Sequence, residues 1–111
     1  MNNYKNIELI VQLLKAHNLS TIVISPGGTN QEFVKAVQDD PFFNCYSVVD
    51  ERSAMYFAIG LYLQYRKPVV TSCTSAQATR NYIPGLTEAY YKKVPILAIT
   101  MSKHPRFSYQ G

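Results

Sequence analysis

The chain has 111 residues, of which 47% are hydrophobic and 16% charged, and its formal net charge is +4. This length suits one domain with a single core, and the composition excludes a disordered chain. Nucleic-acid binding is not expected, because no basic stripe or recognisable reading module accompanies the modest positive charge. Neither a signal peptide nor an apolar run of membrane-spanning length is evident, so we expect a cytoplasmic protein that does not bind a membrane.

Helix and strand patterns alternate along the chain without repeats. Apolar residues at helical spacing begin at Ile7, and Pro84 is expected to kink or restart the last predicted helix. The strand-like runs are Thr21–Ser25, Cys45–Val49, Val69–Cys73 and Ile96–Thr100. Strands separated by helices predict βαβ crossovers, and therefore an α/β fold with a doubly wound parallel sheet in three α/β/α layers.

Two cysteines, Cys45 and Cys73, both fall in runs predicted to be buried strands. Buried thiols behave as small hydrophobic groups, and two of them do not define a disulfide framework. No histidine stands at ligand spacing, so we predict no metal site in this chain.

The carboxyl ends of parallel strands meet at one edge of a sheet, which is where open α/β sheets bind ligands. Three segments should gather there, namely Pro26-Gly27-Gly28-Thr29, Asp50-Glu51-Arg52 and Thr74-Ser75-Ala76. The Pro-Gly-Gly loop could cradle a phosphate or simply form a tight turn. Thr74 and Ser75 could likewise be an ordinary helix cap.

Glu51 has the most distinctive position for proton chemistry. It follows a predicted strand and opens a predicted helix, with Asp50 as the expected cap. A purely structural interpretation is also available, because acidic residues favour any helix start through capping and the helix dipole. Glu51 therefore has two interpretations that the local sequence alone leaves open.

A set of motifs resembles thiamine-diphosphate enzymes, with the same order and spacing. The closest resemblance is to the family of 2-succinyl-5-enolpyruvyl-6-hydroxy-3-cyclohexene-1-carboxylate synthase, and it extends from about Ile7 to His104. The motifs are Ser25-Pro26-Gly27, Asp50-Glu51-Arg52-Ser53-Ala54, Cys73-Thr74-Ser75 and Asn81-Tyr82-Ile83-Pro84 through Glu88-Ala89-Tyr90-Tyr91. The resemblance implies that residues 1–111 are the N-terminal part of a pyrimidine-binding (PYR) domain, a truncated thiamine-diphosphate-binding fold from a longer enzyme.

The resemblance also implies roles for individual residues. The glutamate at the position of Glu51 hydrogen-bonds the cofactor aminopyrimidine and promotes proton removal from the thiazolium carbon. Pro26, Gly27, Thr74 and Ser75 would line the cofactor cavity.

Substrate contacts are implied at Gly28, Thr29 and Lys103. These positions differ from the usual family pattern, in which the first loop reads Ser-Pro-Gly-Ser-Arg-Ser and an Asp-Arg-Pro follows the fourth strand. Lys103 keeps a positive charge but lacks the bidentate fork of arginine.

At the level of the whole enzyme, the resemblance implies a 2-oxoacid decarboxylase or carboligase that works as a homo-oligomer. A diphosphate-binding domain of another subunit, absent from this chain, would hold Mg²⁺ and the diphosphate, so the isolated chain is expected to be inactive. The alternative from another class is a non-catalytic flavodoxin-like binding or interaction module that uses the same sheet edge.

Overall fold

A computed structural model describes residues 2–27, 30–73 and 82–100, with side chains from residue 5 onward. Four helices alternate with four strands through these ranges. The helices are α1 (Asn2–Ala16), α2 (Gln31–Gln38), α3 (Glu51–Tyr65) and α4 (Ile83–Lys92). The strands are β1 (Thr21–Ile24), β2 (Asn44–Ser47), β3 (Val69–Cys73) and β4 (Ile96–Thr100).

All three strand pairs are parallel, and the strand order is β2-β1-β3-β4. Ile24 lies opposite Ser47 on one side and Ser72 on the other, so the carboxyl ends of β1, β2 and β3 are level. The chain leaves β1 towards β2 and later returns to the other side of β1. The loop after β1 therefore starts at the point where the strand order reverses, where sheets of this kind form a crevice.

Both faces of the sheet are covered by helices, which confirms the predicted α/β/α layers. Side chains of α1 and α2 pack against alternate residues of β1 and β3, and this core contains Val11, Leu14, Ile22, Ile24, Phe33, Val37, Phe43 and Val70. The intervening strand residues face α3 and α4. That second core contains Val23, Ala54, Ala58, Leu61 and Val69, continued by Met55, Cys73 and Tyr82 and by Ile59, Ala89 and Val94.

The prediction for the second strand was wrong in extent and burial. β2 spans Asn44–Ser47 rather than Cys45–Val49, its residues are half-buried or exposed, and Val49 is 78% exposed. The reason is its place at the end of the described sheet, with β1 as its one neighbour there. Cys45 is accordingly half-buried, whereas Cys73 is buried as predicted.

Pro84, Arg66 and Lys93 mark ends of the described helices. Pro84 occupies the first turn of α4, where a missing backbone N–H costs nothing, so it starts a helix rather than kinking one. Arg66 and Lys93 end α3 and α4 in the left-handed conformation, with φ of 57° and 58°. Across the described ranges no helix has the length and apolar character that crossing a membrane requires.

Candidate functional site

Ser25 joins the ends of three strands at the carboxyl edge of the sheet. Its backbone N–H donates to the carbonyl of Ser72 at 2.8 Å, and its hydroxyl donates to the carbonyl of Val48 at 2.7 Å. Ser25 is fully buried. The loop that follows β1 therefore starts from a point fixed to both neighbouring strands.

Asn30 fixes the same loop from its other end. The side chain is 1% exposed, and its Oδ1 accepts a hydrogen bond from the Gly27 N–H at 3.0 Å. Its Nδ2 donates to the carbonyl of Ser25 at 3.2 Å and more weakly to the Ser72 hydroxyl at 3.4 Å. Asn30 precedes α2 but makes no capping bond to that helix, so its amide serves the loop instead.

This arrangement bears on the two interpretations of the Pro-Gly-Gly loop. The Gly27 N–H is occupied by Asn30 and is not directed at a phosphate. At Gly27 the structure therefore favours the tight turn over the phosphate cradle.

Asp50 caps α3, as predicted. Its Oδ2 accepts hydrogen bonds from the Ser53 hydroxyl at 2.7 Å and from the Ser53 backbone N–H at 3.1 Å. These two bonds hold the pKa of Asp50 below its ordinary value, and the bond from the Ser53 hydroxyl has the larger effect. Because Asp50 performs the capping, α3 does not need Glu51 for that purpose.

Glu51 is the first residue of α3 and is half-buried. Within the described residues its carboxylate makes no hydrogen bond or ion pair. One helical turn later, Met55 is fully buried against Cys73 and Tyr82, so Glu51 lies above that cluster on the same side of α3. A half-buried carboxylate with its acceptor capacity unused is suited to a ligand that donates to it or shares a proton with it.

Tyr82 forms the floor beneath this side of α3. Burial raises the pKa of its phenol, the neighbouring Cys73 thiol and the charge of Glu51 add to the rise, and the Thr71 hydroxyl opposes it. The hydroxyls of Tyr82 and Thr71 are both buried without a well-formed hydrogen bond in the described part of the chain. The surroundings of Tyr82 therefore favour the neutral phenol, chiefly because the side chain is buried.

The residues predicted for the site are only partly within the described ranges. Pro26 is exposed and Gly27 half-buried in the loop after β1, and Glu51 lies at the adjacent strand end. The other predicted positions, Gly28, Thr29, Thr74, Ser75 and Lys103, lie outside the described residues. Among the residues described, no cluster of histidine, cysteine, aspartate or glutamate could hold a metal ion.

Sequence reasoning did not identify Ser25, Asn30 or Tyr82 as contributors to this edge. An asparagine before a helix ordinarily acts as a cap, so its place in the sequence gives no signal of the role of Asn30. The hydrogen bond from Asn30 to Ser72 joins residues 42 positions apart, and no local pattern predicts such a contact.

Comparison with known proteins places this geometry in a family. The model of the thiamine pyrophosphate enzyme N-terminal TPP binding domain matches residues 5–111. The 2-succinyl-5-enolpyruvyl-6-hydroxy-3-cyclohexene-1-carboxylate synthase of Bacteroides fragilis is 46% identical over 99 residues, which are 89% of this chain and 18% of the relative. The synthase of Bacteroides thetaiotaomicron is 42% identical, again over 99 residues that are 89% of this chain and 18% of the relative.

Solved structures agree with the sequence relatives. Benzoylformate decarboxylase from Polynucleobacter necessarius superposes with a TM-score of 0.81 at 26% identity, over 95% of this chain and 19% of that one. A 4-hydroxybenzoylformate decarboxylase from Rhodococcus jostii shares the fold at a TM-score of 0.83 and 20% identity, over 94% and 19% of the two chains. The chain belongs to the N-terminal TPP-binding domain family of thiamine pyrophosphate enzymes, and it spans about a fifth of the length of these relatives.

The described residues fit the pyrimidine end of thiamine diphosphate better than its phosphates. The Glu51 carboxylate is half-buried and has no partner within the described residues, which would suit a weakly basic ring. Neither a metal-binding cluster nor an available Gly27 N–H is present in the described ranges for a diphosphate.

Proposed function

We propose that this domain supplies the pyrimidine-binding wall of a thiamine-diphosphate-dependent 2-oxoacid decarboxylase or carboligase, in which Glu51 exchanges a proton with the aminopyrimidine. The observation that carries the proposal is that Asp50, and not Glu51, makes the capping hydrogen bonds at the start of α3. Asp50 caps the helix, while the Glu51 carboxylate stays half-buried and without a hydrogen bond or ion pair in the described residues.

Thiamine diphosphate supplies the carbanion chemistry when bound, and the protein supplies orientation and proton transfer. Glu51 would hold the pyrimidine through a charge-assisted hydrogen bond to a ring nitrogen, and it would keep a proton at that ring nitrogen. Pro26 and Gly27 would form the adjoining wall, with Thr74 and Ser75 completing it. Gly28, Thr29 and Lys103 are our candidates for contact with the 2-oxoacid.

The remaining parts of the site would come from elsewhere in the assembled enzyme. Mg²⁺ and the diphosphate would be bound by the diphosphate-binding domain of another subunit, since magnesium prefers carboxylate, carbonyl and phosphate oxygens in octahedral geometry. The active unit would then be at least a homodimer. This chain by itself would be inactive.

The test is Glu51→Gln in the natural full-length protein. General acid–base catalysis contributes about a hundred- to ten-thousandfold in rate, so deuterium exchange at the thiazolium carbon of the bound cofactor should slow by that order. Cofactor affinity and melting temperature should change little, because glutamine preserves the size of the side chain. Exchange at the wild-type rate with cofactor fully bound would remove Glu51 from the mechanism and favour the interaction module.

Glu32 provides the matched control. It too lies in the first turn of a helix, α2, and it is exposed. Glu32→Gln should leave thiazolium exchange unchanged, so an equal loss in both variants would point to helix stability rather than proton transfer.

A further inference from the structure

Among the described residues at the carboxyl edge of the sheet, Asn30 has the polar side chain with the most hydrogen bonds. It is buried, it contacts the chain on both sides of the Pro26–Gly27 turn, and it reaches across to β3. Buried amides are retained at a cost unless their hydrogen bonds are made, and here Oδ1 and Nδ2 are both engaged. Capping of α2 does not explain this arrangement, because Asn30 makes no side-chain bond to the helix.

We propose that Asn30 is a positioning residue for cofactor binding: its carboxamide holds the Pro26–Gly27 turn against the ends of β1 and β3, and so fixes the wall on which the pyrimidine docks. The proposal rests on the proposed function for the identity of the ligand. We call the hydrogen bonds from Asn30 to Gly27, Ser25 and Ser72 the clamp. The clamp does not depend on the proposed function.

Hydrogen-bond chemistry predicts how substitutions should differ. Asn30→Ala leaves the half-buried Gly27 N–H and the carbonyl of the buried Ser25 without this partner. Asn30→Asp keeps an acceptor for Gly27 but, when ionised, cannot donate to Ser25. Burial without a cation should raise the pKa of the introduced carboxyl, so the Asn30→Asp variant should regain the missing donor as the pH falls.

The first measurement is amide hydrogen exchange at Gly27 in the natural full-length protein without cofactor. One net hydrogen bond corresponds to about a two- to tenfold change in an equilibrium, so Asn30→Ala should speed Gly27 exchange by about that factor. The Gly27 exchange rate of each variant is divided by the wild-type rate at the same pH. This ratio should be smaller for Asn30→Asp than for Asn30→Ala, and the difference between the two variants should grow as the pH falls.

Val37→Ala is the matched control. Val37 is fully buried near the end of α2, the helix that Asn30 precedes, and it has no bond to Gly27. It should lower the melting temperature while leaving Gly27 exchange at the wild-type rate. If Val37→Ala speeds that exchange as much as Asn30→Ala at equal melting temperature, Asn30 is merely structural and the proposal fails.

The second measurement connects the clamp to the cofactor. The KM for thiamine diphosphate should rise about tenfold in Asn30→Ala, while kcat at saturating cofactor changes much less, because the wall is looser but Glu51 is intact. Faster Gly27 exchange with unchanged cofactor affinity would overturn the positioning role. Normal thiazolium exchange in Glu51→Gln would instead refute the proposed function, and the Gly27 result would still stand. Should Asn30→Ala not fold, Asn30→Asp across pH provides both readouts.

Discussion

Met55 of α3 packs directly against the backbone of Gly85 in the first turn of α4. A methyl group at Gly85 would lie 2.5 Å from Met55 Cβ and closer still to its Cγ. Both residues are buried, and Met55 is fully so. Gly85 is therefore required for the close approach of the two helices, directly below the turn that carries Glu51.

Gly85→Ala should destabilise the domain. Alanine is favoured over glycine in a helix by about 1 kcal/mol, but overpacking a filled core costs about 1–3 kcal/mol. The clash should outweigh the helix preference, because the nearest atoms include the Cβ of Met55, which cannot move without its backbone. Chemical denaturation of wild type and variant measures the difference.

Gly60→Ala is the matched control, within α3 itself. Gly60 is exposed, and a methyl group there meets nothing within 4 Å. This variant should be more stable than wild type by up to about 1 kcal/mol. Equal effects at the two glycines would contradict the packing described for Met55.

Tyr82 should make the domain sensitive to alkali. Burial raises the pKa of its phenol above the ordinary 10.0, so the folded state keeps this proton while the unfolded state loses it. The stabilisation is present below the ordinary pKa and is lost as the pH rises above it, at about 1.4 kcal/mol per pH unit. Tyr82→Phe should remove this loss, and Tyr90→Phe, at a side chain 77% exposed, should not.

At neutral pH Tyr82→Phe should leave stability unchanged or raise it by about 1 kcal/mol, because the buried hydroxyl it removes has no well-formed hydrogen bond in the described residues. Denaturation curves between pH 7 and 11.5 test both statements. A large loss at neutral pH would show that the phenol makes a stronger bond than its geometry indicates.

Asp50 should make the start of α3 sensitive to acid. Its pKa is lowered by the two bonds from Ser53, so its contribution is present above the ordinary carboxyl value and is lost as the pH falls through the lowered one. Asp50→Ala should lower the melting temperature at pH 7. Asp50→Asn should retain most of the wild-type melting temperature, because asparagine caps a helix about as well as aspartate does.

The acid response distinguishes a cap from a simple charge. The advantage of wild type over Asp50→Ala should shrink below about pH 4, whereas that of Asp50→Asn over Asp50→Ala should persist, since an amide does not titrate there. Scanning calorimetry at pH 7 and pH 3 measures both. A constant wild-type advantage would contradict the role of the ionised carboxylate.

The sequence predicted those features of the fold that local chemistry controls. Val69–Cys73 and Ile96–Thr100 are strands with the predicted bounds, because short β-branched runs between helices suit a buried parallel sheet. Asp50 was recognisable as a cap for the same local reason. Cys45–Val49 was assigned too much length and burial, because an apolar run does not reveal that its strand lies at one side of the described sheet.

The candidate site was less accessible to sequence reasoning. Glu51 was predicted at the carboxyl edge, and the structure puts it there. The contribution of Asn30 could not be predicted, since Gly27, Ser25 and Ser72 become its neighbours when β1 and β3 pair. Tyr82 was assigned to a motif, but its packing against Met55 and Cys73 joins separate elements, and no local pattern predicts it.

The central place of β1 has a consequence for synthesis on the ribosome. Thr21 pairs with Asn44 on one side and with Val69 on the other, so β1, the first strand of the described sheet to be made, has both edges covered only once β3 has formed. Parallel pairing of this kind is slow, because it joins strands that are far apart in sequence, and unpaired strand edges are prone to aggregation. A pause in translation before β3 emerges would therefore leave one edge of β1 unpaired and lower the yield of folded domain.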